Sequence, residues 1–365
     1  MKKILFLIQL PPPVHGVSVM NKIVFESKLI QKNIHSVLLE LKFSKNFNDL
    51  NKTSFSKFYT LICLWFKFIK TTLKVKPDFV YFTIFPTGKI FFRDLIFVVI
   101  IKIFRIKPIY HIHGKGIDRF KKNKILLLLY KFTFSNSIII HLSDILITKD
   151  ILPLKLKKTK LFVVSNGIEI VDTGKYIKRN NTYVSLLFLS HTIESKGIYV
   201  LLEAFDYLVK KGHNIKLDIV GYGGIDNEKK IKSIISNKEL DNYVIYNGAL
   251  YGEEKNQHIC NADLLVFPTL NDAFGLVILE AMQFSIPVIA SDEGSIPEII
   301  DDNKTGLLVE KGNVKDLAEK IEQLINNPDL ILRMGKAAQE KFEKNYTLKH
   351  FENRMKKVFD EITAE

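Results

Sequence analysis

The chain has 365 residues, a net charge of +14 and a hydrophobic content of 47%. This length predicts two domains, and this hydrophobic content excludes wholesale disorder. The two cysteines, Cys63 and Cys260, lie far apart and outside any CxxC motif or Cys/His cluster. That usage excludes a disulfide scaffold and predicts reduced thiols in a cytosolic protein.

The positive charge is concentrated in the first half of the chain. Residues 1–170 carry 29 basic and 9 acidic side chains, whereas residues 171–365 carry 24 and 30. The asymmetry predicts two domains with different partners. Nucleic acid is not an expected partner, because the basic residues lie among Phe and Ile rather than along a polar stripe.

The apolar run at the start of the chain has the composition of a signal peptide at first sight. It is short, contains Gln9 and ends in three prolines without a cleavage site, so we predict a first β-strand at Ile4–Ile8. The longest apolar stretch near the middle, Leu95–Ile101, is well below the ~18–20 residues that a membrane span needs.

Short runs of Val, Ile and Leu recur along the chain in two series, with helical stretches between them. The first series is Ile4–Ile8, Phe79–Ile84, Ile109–Ile112, Ser137–His141 and Leu161–Val164. The second series is Val184–Leu189, Lys216–Val220, Val244–Tyr246, Leu264–Phe267, Pro287–Ala290 and Gly306–Val309. Such runs indicate parallel strands buried on both faces, and the polar stretch Gly167–Thr182 between the series indicates a linker.

We therefore predict an α/β protein with two doubly wound, Rossmann-like domains that face a central cleft. Ligands of such domains bind beyond the carboxyl ends of the strands. We place the first domain at 1–168 and the second at 169–345. A helix at about Leu348–Ile362, within 346–365, is expected to cross back to the first domain.

Three strand-to-helix turns contain residues suited to a phosphate. Gly16, after three prolines, would let the backbone approach a ligand, although an ordinary turn is the alternative. Gly221–Gly224 lacks the third glycine of GxGxxG and a later acidic residue, which weighs against a dehydrogenase. Lys196 precedes a predicted helix, Tyr199–Lys210. Its ammonium would pair with a diphosphate there, and a solvated surface lysine is the alternative.

The densest group of candidate functional residues lies between positions 267 and 298. Asp272 precedes a predicted helix that runs to about Gln283, and Glu280 lies inside this helix among apolar residues. A carboxylate there is costly unless it is hydrogen-bonded, and a ribose offers two hydroxyl donors. The alternatives are a plain N-cap for Asp272 and an exposed carboxylate for Glu280. We expect the helix start to offer free amides to the donor, namely those of Phe274, Gly275 and Leu276.

This segment resembles the donor-binding signature of glycosyltransferase family 4, which has the GT-B fold. The match runs D-A-F-G-L-V-I-L-E-A-M from Asp272 and continues through Ile286–Ser291 and Pro297-Glu298. Shorter matches flank it at Ser165–Ile168, Lys196–Gly197, Val220–Gly223, Asn247–Gly248 and Lys304–Leu307. The likeness covers about 161–342 and is weaker over 1–160, where it depends on Pro13–Gly16 and His111–Gly114.

The resemblance implies a retaining glycosyltransferase with residue-specific roles. Glu280 would bind the ribose, Asp272 would lie near the donor sugar, and Lys196 would contact the diphosphate. Gly16 would give the β-phosphate access to the backbone, and His113 would lie near the reacting sugar. The remaining implied donor-binding residues are His191, Gly221, Gly248, Ala273, Phe274, Gly275 and Leu276. The sequence departs from the family where His191 replaces an arginine and Ser190 replaces a glycine.

The resemblance also implies a reaction without cofactor or metal. The donor would be a UDP-sugar or, next in order, a GDP-sugar, and attack on the same face as the departing diphosphate would retain the configuration. The sequence contains no obvious carboxylate nucleophile and no spaced DxD pair. His111 and His113 are expected to face opposite sides of the sheet, with His113 as the residue near the substrate.

Three segments of the first domain mix basic, aromatic and aliphatic residues: 55–76, 89–107 and 119–132. This composition is typical of segments that lie in a membrane interface, where anionic lipids attract basic side chains. Core helices with solvated lysines are the alternative. We predict a peripheral protein at the inner face of the plasma membrane, with a lipid-linked or cell-surface polysaccharide acceptor. Two rival functions are a GT-B nucleotide-sugar epimerase and a non-enzymatic basic membrane-surface protein.

Overall fold

The structure is a computed structural model that describes residues 1–12, 15–42, 55–120 and 122–364, without the side chains of residues 55–58. Pro13 and Val14, in the predicted first glycine turn, lie outside the described residues, as does Lys121 in the third basic segment.

The chain divides into two compact units. The first comprises residues 1–166 and 349–365, and the second comprises residues 167–348. These limits differ by a few residues from the domain boundaries predicted above.

The first unit is built on parallel strands. They are β1 (Lys2–Ile8), β2 (Ile34–Glu40), β3 (Phe79–Ile84), β4 (Lys107–Ile112), β5 (Ile138–His141) and β6 (Lys160–Val163). Within the described residues they form a six-stranded sheet in the order β2-β1-β3-β4-β5-β6. All neighbouring strands pair in parallel.

The burial of these strands follows from their sequences. Every residue of β3 is buried, as a continuous apolar run in a parallel sheet requires. Strand β2 was not predicted, because its sequence IHSVLLE interrupts the apolar pattern with polar residues. It lies at the edge of the sheet, where His35 and Leu38 remain exposed.

The helices of the first unit are α1 (Gly16–Glu26), α2 (Lys28–Gln31), α3 (Phe55–Val75), α4 (Gly88–Ile103), α5 (Lys124–Phe134) and α6 (Asp144–Leu146). Aromatic contacts join three of them into one layer. The ring centroids of Phe68 and Phe97 are 5.8 Å apart, and those of Phe91 and Tyr130 are 4.7 Å apart. None of the described helices combines the length and apolar content needed to cross a bilayer.

The second unit repeats the parallel architecture. Its strands are β7 (Val184–Leu189), β8 (Ile215–Val220), β9 (Val244–Gly248), β10 (Leu264–Phe267), β11 (Val288–Ser291) and β12 (Gly306–Val309). They form a sheet in the order β12-β11-β10-β7-β8-β9, with parallel pairing throughout. The order reverses beside β7, and such switch points are where open α/β sheets bind ligands.

Helices cover this second sheet. They are α7 (Ile198–Lys210), α8 (Ile225–Asn237), α9 (Gly252–Asn261), α10 (Leu276–Gln283), α11 (Ile296–Ile299), α12 (Val314–Ile325) and α13 (Pro328–Asn345). In α7, Leu201, Phe205 and Leu208 recur at helical spacing and are fully buried, so one face of the helix packs on the sheet. Helices α7, α9 and α10 are each the next α-helix after a strand of this sheet, so their N-termini lie toward its carboxyl edge.

The final helix, α14 (Leu348–Thr363), lies in the first unit from residue 349 onward. Its Phe359 ring stacks on Phe6, at 6.3 Å between centroids, and on Tyr81, at 5.9 Å. Buried stacked aromatic rings of this kind contribute ~0.5–1.5 kcal/mol per pair beyond the area they bury. The C-terminal residues are thus part of the core of the first unit.

Candidate functional site

Two loops meet at the carboxyl edge of the second sheet, one after β7 and one after β10. The backbone N–H groups of Leu270 and Asn271 both donate to the carbonyl oxygen of Ser195, at 2.9 Å each. Gly197 has φ +79°, and a Cβ there would lie 1.8 Å from the carbonyl oxygen of Pro268. Only glycine permits this approach, which brings Lys196 beside the loop that contains Asp272.

Lys196 and Asp272 form an ion pair across these two loops. Lys196 Nζ lies 2.5 Å from Asp272 Oδ2, and both side chains are about four-fifths buried. The other carboxylate oxygen of Asp272 accepts hydrogen bonds from the backbone N–H groups of Phe274 and Gly275, at 3.0 Å each. The Asp272 carboxylate is thus held by a cation at one oxygen and by two backbone amides, just before α10, at the other.

This geometry corrects one prediction. The amides of Phe274 and Gly275 are not free for a donor, because both donate to the Asp272 carboxylate in the loop just before α10 begins at Leu276. The role of the Leu276 amide stays a prediction. The backbone carbonyl of Ala273 accepts a hydrogen bond from the amide of Ser295 at 3.0 Å, which joins the loop after β10 to the segment that follows β11.

Glu280, in the second turn of α10, also forms an ion pair. Its Oε2 lies 2.9 Å from Nζ of Lys255, in the first turns of α9, and both side chains are more than three-quarters buried. We predicted that this carboxylate needs a polar partner, and in the free protein the partner is a lysine. Lys255 was missed because its position, 25 residues before Glu280, gives no local sequence signal.

Glycines at the carboxyl ends of β8 and β9 shape the same edge of the sheet. Gly221 has φ +148°, and a Cβ there would lie 1.7 Å from the carbonyl oxygen of Ser190. Its N–H donates to the carbonyl of Gly248 at 2.7 Å, which joins the ends of β8 and β9. His191 is exposed, and its Nδ1 lies 3.0 Å from the carbonyl oxygen of Tyr222.

In the first unit, the predicted phosphate turn leads into α1. Gly16 is the first residue of this helix, and His15 is its N-cap. The Nδ1 atom of His15 accepts a hydrogen bond from the backbone N–H of Ser18 at 3.2 Å, while Ser18 Oγ accepts from the N–H of His15 at 3.0 Å. This reciprocal cap fixes the position of Gly16 at the helix start.

A cluster of buried histidines lies at the carboxyl ends of β4 and β5. The ring centroids of His111 and His113 are only 4.0 Å apart, so the expectation that they face opposite sides is wrong. Residues two apart along a strand point to the same face. His111 Nδ1 lies 2.5 Å from the hydroxyl of Tyr81, and His141 Nδ1 accepts from the N–H of Leu142 at 2.9 Å.

Burial keeps these histidines neutral. Desolvation lowers the pKa of His113 and of His141 to about 3, and it lowers the pKa of His111 well below the ordinary value. Repulsion from neighbouring histidines lowers each pKa further. Among the described residues, the Nε2 atoms of all three rings have no hydrogen-bond partner. His113 is therefore a neutral side chain with an unused polar atom.

The loop after His113 is anchored by a buried carboxylate. Asp150 accepts hydrogen bonds from the backbone N–H groups of Gly116, at 2.7 Å, and Asp118, at 3.0 Å. Burial raises the pKa of Asp150. A Cβ at Gly114 would lie 2.7 Å from the ring of Pro86, so this loop also packs closely on the end of β3.

The described residues contain no group of three His, Cys, Asp or Glu side chains arranged to hold a metal ion. The polar groups at the carboxyl edges are instead lysines, carboxylates, histidines and backbone amides. In the second unit, this combination suits a ligand with both anionic and hydroxyl groups.

Residues 175–341 match the sequence model of the family described as Glycosyl transferases group 1. These residues, which lie within the second unit, are thus similar to group 1 glycosyltransferases. The prediction of an enzyme that transfers glycosyl groups is confirmed at this level. The carboxylates and Lys196 all lie within the matched residues.

One curated relative is a capsular polysaccharide biosynthesis glycosyltransferase, CapM, from Staphylococcus aureus. The chain is 29% identical to it over 254 residues, which are 66% of this chain and 66% of that protein. The alignment thus spans just under two thirds of the relative. The similarity to this relative is therefore partial, and it specifies neither the donor nor the acceptor of this chain.

Solved structures with the same architecture cover the whole chain. Sucrose-phosphate synthase from Thermosynechococcus elongatus is 17% identical, with a TM-score of 0.76 over 100% of both chains. Anabaena HepE in complex with UDP-glucose is 18% identical, with a TM-score of 0.73 over 99% of this chain and 100% of that one. These likenesses confirm the predicted GT-B fold.

Proposed function

We propose that this protein transfers a sugar, with retention of its anomeric configuration, from a nucleotide-sugar donor to a lipid-linked or cell-surface glycan. A UDP-sugar is the favoured donor, with a GDP-sugar next. The observation that carries the proposal is the presence of two lysine-paired carboxylates, Asp272 and Glu280, at the carboxyl edge of a group 1 glycosyltransferase domain. HepE, a protein of the same fold, has been solved with UDP-glucose bound.

Three groups of the donor, its ribose, its sugar and its diphosphate, each have a proposed counterpart in the second unit. A carboxylate at position 280 can accept hydrogen bonds from the hydroxyls of a ribose, and Asp272 can accept from hydroxyls of the transferred sugar. The ammonium of Lys196 would stabilise the negative charge of the diphosphate as it departs. The departing phosphate would take the proton from the acceptor hydroxyl, so the protein contributes positioning and charge stabilisation.

His113 is proposed to act on the reacting sugar as a neutral hydrogen-bonding group. Its pKa of about 3 keeps it uncharged at neutral pH, and its Nε2 has no partner among the described residues. A buried polar atom without a partner costs roughly 1–3 kcal/mol, which a ligand hydroxyl would offset. We infer that the first unit supplies His113 and binds the acceptor.

A lipid surface is proposed as the site of action, because helices α3, α4 and α5 expose apolar residues at helical spacing. The exposed apolar side chains of α4 are Ile90, Phe92, Ile96, Val99 and Ile103, those of α3 include Tyr59, Phe66 and Leu73, and those of α5 are Ile125, Leu128 and Phe132. Exposed lysines accompany them at positions 67, 70, 74, 89 and 124. We call these side chains the basic–apolar face. Such a surface matches the headgroups and upper acyl chains of an anionic bilayer.

The test of the proposed function is transfer of radiolabelled sugar to a synthetic polyprenyl diphosphate-linked sugar. UDP-glucose, UDP-N-acetylglucosamine and GDP-mannose serve as donors. We expect one donor to give labelled lipid with its α configuration retained, and we expect Glu280→Gln to abolish the transfer. Inverted product would contradict the retaining mechanism. Isomerised nucleotide sugar formed without acceptor would instead identify an epimerase.

A further inference from the structure

The pairing of Lys255 with Glu280 extends the proposed donor site by one residue. Lys255 is the fourth residue of α9, which begins four residues after the end of β9. A cation in the first turns of a helix is disfavoured by the helix dipole, and α9 already has acidic residues at positions 253 and 254. A lysine that breaks this local preference and is more than three-quarters buried needs a compensating interaction. Glu280 supplies it, at 2.9 Å.

The consequence for Glu280 is geometric. Lys255 binds Oε2, and the described residues supply the Glu280 side chain with no other polar partner. A glutamate has three side-chain torsions, and holding one oxygen removes most of their freedom. The second oxygen, Oε1, is then left in a defined position with its lone pairs available to a hydroxyl donor.

We propose that Lys255 is a positioning residue that orients Glu280 for the two hydroxyl groups of the donor ribose. The proposal depends on the proposed function, since it assumes that Glu280 binds ribose. It predicts that Lys255 matters for nucleotide affinity only through those hydroxyls. A lysine that contacted the diphosphate or the base directly would contribute to affinity whether or not the hydroxyls were present.

The experiment is a thermodynamic cycle that removes the Lys255 ammonium from the protein and the two ribose hydroxyls from the nucleotide, separately and together. Isothermal titration calorimetry compares UDP with 2′,3′-dideoxy-UDP on the full chain, for the wild type and for Lys255→Met. We expect Lys255→Met to weaken UDP binding by about tenfold and to leave dideoxy-UDP binding within about twofold of the wild type. Lys255→Arg should recover most of the UDP affinity. GDP and dideoxy-GDP replace the pair if the wild type prefers guanine.

Lys238→Met is the matched control. The Lys238 side chain has the same 23% exposure as Lys255, and its partners are Glu203 and Asp206, away from the carboxyl edge. We expect this variant to bind UDP like the wild type. Circular dichroism checks that each variant is folded, and Lys255→Arg provides a conservative variant if Lys255→Met unfolds.

Three results would overturn the proposal. UDP affinity unchanged in Lys255→Met would show that Glu280 needs no positioning, while the proposed donor site would still hold. An equal loss for UDP and dideoxy-UDP would make Lys255 a direct contact of the base or diphosphate. A wild-type protein that binds no nucleotide would overturn the proposed function, and this inference with it.

Discussion

In the free protein, Nζ of Lys196 lies 2.5 Å from Oδ2 of Asp272, while the other oxygen of that carboxylate accepts hydrogen bonds from two backbone amides just before α10. The lysine proposed for the diphosphate and the acid proposed for the sugar thus bind each other before the donor arrives. A bound diphosphate would compete with Asp272 for the ammonium. The strength of donor binding then depends on the cost of breaking this ion pair.

Replacing Asp272 by asparagine is expected to strengthen UDP binding by roughly three- to tenfold, because a partly buried ion pair is worth about 1 kcal/mol and its loss frees Lys196. Sugar transfer by the same variant should fall, because the hydroxyls of the donor sugar lose the carboxylate proposed to accept their hydrogen bonds. Lys196→Met should weaken UDP binding at least ~10-fold and leave uridine binding unchanged. Calorimetry measures both affinities.

Lys211→Met is the control for this prediction, because Lys211 pairs with Glu322 at 2.8 Å and has no role in the proposed site. Weaker UDP binding by Asp272→Asn, together with unchanged binding by Lys196→Met, would refute the exchange of partners.

The hydrogen bonds that Asp272 accepts in its own loop have a separate effect on stability. Asp272→Ala removes both hydrogen bonds to the amides of Phe274 and Gly275 and is expected to lower the free energy of unfolding by about 1 kcal/mol. Asparagine keeps a side-chain oxygen that can accept from these amides, so Asp272→Asn should lose less than half of that amount. Urea titration followed by far-UV circular dichroism measures the difference. Equal losses in the two variants would mean that the charge, rather than the two hydrogen bonds, stabilises the loop.

The contact between the two loops of the donor site depends on Gly197. Gly197→Ala would place a methyl carbon 1.8 Å from the carbonyl oxygen of Pro268 and force the loops apart. We expect a loss of at least ~3 kcal/mol of unfolding free energy or failure to fold. Gly212→Ala is the matched control, because Gly212 also has a positive φ, +86°, but has nothing within 4 Å of the added Cβ. It should lose only ~1 kcal/mol; similar losses in both variants would assign the effect to backbone strain alone.

The buried histidines make the stability of the first unit depend on pH. Their pKa values are lowered, to about 3 for His113 and His141, so the unfolded chain takes up protons first as the pH falls below ~6.5. The free energy of unfolding should therefore be constant above pH 7 and decrease below pH 6.5. Each histidine adds up to about 1.4 kcal/mol per pH unit.

The chain has one tryptophan, Trp65, and its fluorescence reports on the first unit. Urea titrations at pH 7.5, 6.5 and 5.5 compare the wild type with His141→Gln, which should have the shallower pH dependence. Tyr110→Phe is the control, because burial raises the pKa of Tyr110 and its hydroxyl does not titrate in this range. A wild-type slope in His141→Gln would contradict the burial of a neutral imidazole.

The basic–apolar face is expected to bind anionic vesicles. The wild type should co-sediment with vesicles of phosphatidylglycerol and phosphatidylcholine at 50 mM NaCl and dissociate at 500 mM, as screening predicts. The double substitution of Phe92 and Ile103 by serine should reduce the bound fraction about tenfold, since each buried apolar side chain contributes ~1.5–3 kcal/mol at most.

Leu332→Ser is the control for the vesicle experiment. Leu332 lies in the second unit and is 71% exposed, as Ile103 is in the first unit. A wild-type protein that remains in the supernatant at low salt would exclude the membrane surface as a partner.

Much of the fold could be predicted from the sequence, because buried parallel strands are continuous apolar runs. The strand that was missed, β2, lies at a sheet edge and has polar residues on both of its faces, so its pattern resembles neither a buried nor a regularly alternating strand. Helix α10 was predictable from Gly275 and the apolar residues that follow it. The contacts that α10 makes with other elements could not be predicted in this way.

The candidate site could be predicted only where it depends on local sequence. Asp272 and Glu280 stand out because carboxylates beside or within an apolar helix are unusual. The contact of Lys255 with Glu280 joins residues far apart in the sequence, so no local pattern indicates it. The close approach of His111 and His113 was missed because the alternation of side chains along the strand was misjudged. The occupation of two amides by Asp272 was an alternative that the sequence left open.

The most direct test of the central claim is calorimetric titration of UDP, GDP, ADP and CMP into the wild type and Glu280→Gln. The account predicts that UDP or GDP binds the wild type with micromolar affinity, and that Glu280→Gln weakens that nucleotide at least ~10-fold because the ribose loses a charged acceptor. Binding of no nucleotide, or equal binding by the wild type and Glu280→Gln, would contradict a donor site at the carboxyl edge of the second sheet.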